Sequence, residues 1–334
     1  MSVDRLDRLL LFELDQNARQ PVSRIAKRLR ISKQVAGYRL KRLETEGLIK
    51  KYFTVPDISR LGYTNFKVLV RLQNASESQE RAFISFLVNH PAIMWVARCD
   101  GRFDLMFNIM AKNVGELNIH LEGISERYGR LIGERQTSPM LLARFYERAY
   151  LRGETHRTQK PGVYGGSPPA YELDEVEAGI LSELCWNGRA LIPEMARRLR
   201  ISPDTVRLRI RKLEKEGIIQ RYLIVPNNPK LGQLHYKLLV GLNVLGKEKR
   251  QALEAFFQQE PRIFFTNQTF GNWEMEIDVE MESQEQFRAF LAAFRNRFSK
   301  EIRDYTALNV YEVHKFDFYP MRKRPIPPAK ANQA

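Results

Sequence analysis

The sequence predicts an α+β fold built twice over, each copy a small helical domain followed by a ferredoxin-like βαββαβ sandwich. Three observations predict it. The chain repeats: Leu29 to Pro56, LRISKQVAGYRLKRLETEGLIKKYFTVP, returns at Leu199 to Pro226 as LRISPDTVRLRIRKLEKEGIIQRYLIVP, at a constant offset of 170 with no gap. The apolar period is helical in the first third of each copy and strand-like afterwards. Strand and helix patterns then alternate in the order βαββαβ in both copies.

The helical part reads the same way twice. Leu6, Leu9, Leu10, Phe12 and Leu14 give one face of a first helix, and Gln20-Pro21 marks a turn. Val22 to Arg30 is a short second helix with Ile25, Ala26 and Leu29 inward. Ser32 and Ser202 are N-caps, because a hydroxyl can accept from a free amide of the first turn. Pro203 follows at the first helical position, where its missing amide costs nothing. Ala36, Leu40 and Leu43, or Val206, Ile210 and Leu213, make the buried stripe of a third helix. Gly47 and Gly217 stop it. KKYFTV and QRYLIV are short strands ended by Pro56 and Pro226. Helix, turn, helix, glycine stop and strand is the layout of a winged helix-turn-helix.

The sandwich part begins with strands Phe66–Leu72 and Tyr236–Val244 and amphipathic helices Ser78–Asn89 and Lys247–Gln259. Strands Ile93–Arg98 and Ile263–Gln268 follow, then Phe103–Met110 and Trp273–Glu280. A helix (Val114–Arg127; Ser283–Phe298) and a last strand (Met140–Tyr146; Ala307–Val313) complete each copy. The expected divisions are a winged helix-turn-helix at 1–56, a sandwich at 57–152, a linker at 153–170, a second winged helix-turn-helix at 171–226, a second sandwich at 227–320 and a basic, disordered tail at 321–334. The linker, GETHRTQKPGVYGGSPP, is dense in Gly, Pro and polar residues and is expected to have no core of its own.

Composition narrows the function. The net charge is +15, with 28 Lys/Arg against 17 Asp/Glu in residues 1–170 and 26 against 22 in 171–334. An excess of this sign suggests a polyanionic partner, usually nucleic acid. No apolar run is long enough to span a membrane, and the acids inside MSVDRLDRLLLFELDQ argue against a secretory signal. Cys99 and Cys185 do not correspond under the offset, so neither a disulfide framework nor a metal cluster is expected, and a cytoplasmic location follows.

With the stripe of the third helix inward, its opposite face carries Gln34, Tyr38, Lys41, Arg42 and Thr45, with Lys33 and Gly37 flanking it near the N-terminal end. Residues near the N-terminus of a helix in the major groove read base edges, which selects Lys33, Gln34 and Tyr38. Arg39, Lys41 and Arg42 suit phosphate or guanine, and Lys50 and Lys51 in the wing could reach a neighbouring backbone. Ser32, Ser202 and Thr205 sit at the helix starts. In the second copy Arg207, Arg209, Arg211, Lys212 and the wing residue Arg221 are the basic candidates, with Asp204 and Leu208 beside them. The competing reading is a solvated basic helix face. Placement between a capped turn and a glycine stop favours double-stranded DNA. The second helix differs enough to imply another sequence preference.

GRFDLMF at Gly101–Phe107 aligns with GNWEMEI at Gly271–Ile277. A glycine followed by an acid at the start of a strand can present amides and a carboxylate to a small polar ligand; a plain hairpin explains it equally well. The five histidines, His90, His120, His156, His235 and His314, are scattered, and only one or two are expected in one pocket. There is no phosphate-binding loop, Cys-x-x-Cys or nucleophile elbow, so no catalysis and no cofactor are expected.

RISKQVAGYRLKRLETEGLIKKY and RISPDTVRLRIRKLEKEGIIQRY, each followed by Pro, Leu-Gly and a βαββαβ domain with a Gly-x-x-acid turn, resemble the leucine-responsive/asparagine-type (Lrp/AsnC, feast/famine) transcription regulators. The resemblance covers nearly the whole chain except linker and tail. It implies DNA binding by the winged helices and homo-oligomerisation through the sandwich sheets. It also implies sensing of a small molecule, typically an amino acid, near Gly101 and Asp104 or Gly271 and Glu274. The chain departs from the family in holding two units in one polypeptide, so pairing within or between chains stays open. Sirohaem decarboxylases look like this family too and supply the alternative, a tetrapyrrole enzyme with isolated pocket candidates His235, His314 and Arg98. A ligand-sensing scaffold without DNA binding is the third reading.

Overall fold

The structure, a computed structural model, describes residues 3–154, 157 and 159–319. The expected tail 321–334, with Arg322, Lys323 and Arg324, lies outside the described residues, as does His156. The first unit runs α1 (Arg5–Gln16), α2 (Val22–Leu29), α3 (Lys33–Thr45), β1 (Ile49–Pro56), β2 (Thr64–Leu72), α4 (Glu77–Asn89), β3 (Ile93–Asp100), β4 (Leu105–Ala111), α5 (Val114–Tyr128) and β5 (Ile132–Phe145). A short β6 (Gly162–Gly165) precedes the second unit. That unit is α6 (Glu175–Trp186), α7 (Ile192–Leu199), α8 (Pro203–Lys215), β7 (Ile219–Pro226), β8 (Leu234–Leu242), α9 (Lys247–Gln259), β9 (Ile263–Thr269), β10 (Met275–Met281), α10 (Gln284–Arg297) and β11 (Ile302–Phe316). Among the described residues no helix is long and apolar enough to cross a membrane.

The helix starts follow local chemistry. Asp4 and Asp7, and Asp174 and Glu177, form capping boxes at α1 and α6. The hydroxyl of Ser32 accepts from the Val35 amide at 3.1 Å, and that of Ser202 from the Thr205 amide at 3.0 Å. Gly47 and Gly217 end the third helices at φ 68° and 69°, a left-handed conformation that a Cβ would strain.

The wings depart from the sequence reading. Each is a single strand, and its ladder partner is the wing of the other unit: β1 and β7 pair antiparallel, with Phe53 opposite Leu223. The two helical domains also share one apolar core, in which Leu10, Ile25 and Leu43 meet Ile180, Met195 and Leu213. A lone strand leaves its amides unpaired, and the second copy supplies the partner.

The sandwich strands close on themselves. The order is β2-β4-β3-β11-β8-β10-β9-β5, and β5 returns to β2. Both last strands are longer than expected, at 14 and 15 residues, because each serves two sheets. The first half of β5 pairs with β2 (Thr137 opposite Val68) and its second half crosses to β9 (Ala143 opposite Asn267). Likewise β11 pairs with β8 (Thr306 opposite Leu239) and then β3 (Val313 opposite Ala97). The sheet pairing expected between sandwich domains is thus met within one chain. The segment expected to lack a core also differs: β6 adds to the edge of β5, and buried Tyr164 stacks on Phe145 with ring centroids 5.5 Å apart. Helices cover the outer sheet faces through Phe83, Leu87 and Ile124 in one unit and Phe257, Phe290 and Phe294 in the other. Between the sheets lie an apolar plug around Phe103, Met106, Trp273 and Leu308 and a belt of buried charge.

Candidate nucleic-acid interface and interior cavity

On α3 the exposed side chains include Lys33, Gln34, Tyr38 and Lys41, with Tyr38 71% accessible. On α8 they include Asp204, Arg207, Leu208, Arg211 and Lys212, with Leu208 66% accessible. Tyr38 and Leu208 are equivalent under the repeat. Two large apolar side chains held in water at the same place on two basic helices invite contact with a partner. Arg207 is ion-paired to Asp204, so part of the α8 charge is neutralised.

Four of the expected DNA contacts are engaged elsewhere. Arg39 reaches Asp4 at 2.5 Å and Asp7 at 2.9 Å, and Arg42 pairs with Asp7. In the second unit Arg209 reaches Asp174 and Glu177 at 2.9 and 3.0 Å, and Lys212 reaches Glu177 at 2.8 Å. The acids of each capping box therefore clamp the reading helix to the first helix. Asp7 and Glu177 are buried, so removing these cations would strand a carboxylate. Burial works against the charge of Glu177, but Lys212 and the Asp174 amide keep its carboxyl below the usual range. These four residues thus tie each reading helix to the first helix of its unit.

The wing residues also turn elsewhere. Lys50, Lys51 and Arg221 line an interior cavity. The Lys51 ammonium donates to the Phe316 carbonyl at 2.5 Å and lies 5.1 Å from the Trp186 ring centre. Arg221 donates to the Lys160 carbonyl at 3.0 Å.

The Gly-x-x-acid turns are tied to backbone. The Asp104 carboxylate accepts from the Leu72 amide at 2.7 Å, and Glu274 from the Leu242 amide at 2.6 Å. Gly101 has φ 128°, and a Cβ there would sit 3.0 Å from the Ala307 carbonyl oxygen of the other unit. Gly271 has φ 125°, and a Cβ there would sit 3.3 Å from the Ser138 hydroxyl of the other unit. Gly101, Asp104, Gly271 and Glu274 thus serve strand capping and close packing between units. None of the four lines the cavity.

The cavity measures about 1030 Å³ and is bounded by the wing ribbon and the interior faces of the closed sheet. Repeat-related pairs line it: Phe53 and Leu223, Lys67 and Lys237, Trp95 and Phe265, Asn108 and Asp278. Both units thus contribute to the one cavity. Its walls are rich in aromatic rings, among them Phe145, Tyr164, Trp186 and Phe316, and carry more cations than acids. His90, His235 and His314 all reach it, more than the one or two expected, whereas Arg98 is paired with Glu80 at 2.8 Å. Burial, with His120 and Lys315 nearby, pushes His90 down to about 4. Burial also lowers His314. His235 is 2.7 Å from the Asp278 carboxylate.

On one wall Arg148 is buried between two acids. It reaches Asp15 of α1 at 2.6 Å and Glu280 of β10 at 2.7 Å, and Tyr150 donates to Glu280 at 2.6 Å. This links the first helical domain to the second sandwich. The sequence reading missed Arg148 and the place of Lys67 and Trp95 in the cavity. The available signal was MEIDVEM in β10, where acids alternate with apolar residues on a strand with no solvent face.

Comparison with known proteins follows the same division. A winged helix-turn-helix DNA-binding family signature matches residues 3–50 and 173–220. An uncharacterized HTH-type transcriptional regulator of Pyrococcus horikoshii is 33% identical over 117 residues, which are 34% of this chain and 77% of that protein. The chain belongs to the Lrp/AsnC-type helix-turn-helix transcription regulators. These are DNA-binding regulators, and this member carries the helix-turn-helix in duplicate. A Pyrococcus furiosus relative is 30% identical over 141 residues, 42% of this chain and 91% of that protein. A match over two-fifths of this chain thus spans nearly all of such a regulator, so each relative corresponds to one unit. The two-unit fold has a counterpart in the crystal structure of the siroheme decarboxylase NirDL, with a TM-score of 0.60 at 14% identity, over 94% of this chain and 93% of that one.

Proposed function

We propose that this Lrp/AsnC-type regulator reads one asymmetric DNA site with α3 and α8 and senses a small molecule in the interior cavity, without catalysis. The observation that carries the reading is the unlike chemistry of two equivalent exposed faces. Tyr38 faces out where the second unit has Leu208, and Gln34 where it has Asp204. The wing ribbon and the shared core hold the two readers in one body, so they approach DNA together. Glutamine suits adenine, an acid accepts from cytosine, and leucine meets a thymine methyl, so the half-sites differ. A ligand in the cavity touches wing strands and sandwich strands at once. It thereby acts on the spacing of the readers.

A second reading is favoured by the cavity itself. A volume of about 1030 Å³ with aromatic and cationic walls suits a planar tetrapyrrole. NirDL has been crystallised with an iron-uroporphyrin III analogue. One pair of titrations separates the two. The regulator reading expects the purified chain to retard duplex DNA with an affinity that falls steeply with salt, and to give no Soret shift with iron uroporphyrin. A Soret shift without DNA retardation would overturn it in favour of the tetrapyrrole enzyme.

A further inference from the structure

The two repeats place a lysine at the same interior position, and only one of them is satisfied. Lys237 lies opposite Asp278 in the ladder between β8 and β10. It donates to Asp278 at 2.6 Å and to Glu276 at 2.9 Å. Burial opposes its charge, but Asp278 and Glu276 overcome that and hold it firmly protonated. Lys67 lies opposite Asn108 in the matching ladder between β2 and β4. Where the second unit has Glu276, the first has Met106. Both Glu276 and Asp278 thus bond Lys237.

Lys67 is left with weak company. Among the described residues its ammonium makes no hydrogen bond; its neighbours are Glu276 at 3.8 Å and the Trp95 ring centre at 4.3 Å. The Glu276 oxygens already take Lys237, at 2.9 Å, and the Trp273 indole, at 3.3 Å. Lys67 is 3% exposed and lines the cavity beside Asn108, whose side-chain oxygen is buried without a hydrogen-bond partner. Burial pulls the Lys67 ammonium down to about 8. An ammonium with unused donors at a cavity wall is incomplete, because burying charge without a partner is costly.

We propose that Lys67 is the anchor for the carboxylate of an aromatic acid bound in the cavity, with the ring of the ligand lying against Trp95 and the facing aromatic wall. This rests on the reading of the cavity as the sensing site and names its ligand class. A carboxylate supplies the acceptor that the first unit lacks, in the place where Glu276 and Asp278 serve the second. Phe265, equivalent to Trp95, and Phe145, 4.5 Å from Phe265 between ring centres, give the ligand body an apolar bed. Because Lys237 already serves two carboxylates, a ligand carboxylate is drawn to Lys67, and the site takes one carboxylate in one orientation.

The test is calorimetric titration of the full chain with 2-naphthoate and with its uncharged counterpart 2-naphthamide. The naphthoate is expected to bind about tenfold tighter or more, the size of a hydrogen bond to a charged group. In Lys67→Met that preference disappears while the naphthamide affinity stays. The variant keeps or raises its melting temperature, since an unpaired buried charge has been removed. Equal affinities in the natural chain, a preference that survives in Lys67→Met, or no binding of either probe would overturn the proposal. So would a large loss of melting temperature in the variant, which would mean that Lys67 is already satisfied within the protein. DNA retardation measured without probe keeps the two ideas apart. Intact DNA binding with failed calorimetry rejects the Lys67 anchor alone, and failed DNA binding rejects the regulator reading.

Discussion

Replacing Arg148 by methionine is expected to destabilise the fold by about 3–5 kcal/mol, the cost of breaking a buried ion pair from one side. The guanidinium is buried and serves Asp15 and Glu280, both themselves buried. Methionine fills much of the volume, so the loss is electrostatic rather than a cavity. Two carboxylates are then left without their cation. The pH dependence has a definite sign. Burial raises Glu280, but Arg148 and Tyr150 bring it below its ordinary 4.5. Its contribution is therefore present above that value and lost as the pH falls through the lowered one. In the variant both stranded acids take up protons more readily. The stability gap between natural chain and variant is widest at neutral pH and narrows as the pH falls through the range, above the ordinary 4.5 of a glutamate, in which the stranded acids of the variant take up protons. Urea denaturation at several pH values measures it. A gap that is small at pH 7, or constant with pH, would show that Arg148 is not the strut between the first helical domain and the second sandwich.

Replacing Lys33, Tyr38 and Lys41 together by alanine is expected to weaken DNA binding by about 10- to 100-fold and to reduce the salt slope by about 2. Two of the three are exposed cations and the third is the most exposed aromatic side chain of α3. Arg39→Gln gives the contrasting result. That residue is spent on Asp4 and Asp7, so its loss lowers the melting temperature and leaves the salt slope nearly unchanged. Anisotropy titrations over a range of salt concentrations separate the two. If Arg39→Gln flattens the slope as much as the triple variant does, the clamp opens on DNA and the residue is a contact after all.

Much of the fold was legible because it is written locally. Ser32 and Ser202 cap where expected, the stripes Ala36-Leu40-Leu43 and Val206-Ile210-Leu213 face inward, and Lys247–Gln259 is a helix over those residues. What stayed hidden is long-range. The register that joins β1 to β7, and the halves of β5 and β11 that cross between units, are set by a partner about 170 residues away. Hence Lys50, Lys51 and Arg221 read as wing residues although the ribbon turns them to the cavity. The clamps were hidden for a related reason: Arg39 and Asp7 lie on different helices, and helical spacing places a basic side chain on a face without telling what stands opposite. Lys67 in an otherwise apolar strand was visible, but its meaning depended on the strand facing it.

The central claim is that each reading helix specifies its own half of one DNA site. It is tested most directly by selecting binding sites from random duplex DNA with the natural chain and with a variant carrying Asp204→Gln, Leu208→Tyr and Arg211→Lys. These changes give α8 the residues that α3 shows at the equivalent positions. The natural chain is predicted to select a motif with two unlike halves, and the variant a motif whose second half has become like its first. Selection of the same motif by both proteins, or a symmetric motif by the natural chain, would contradict the account.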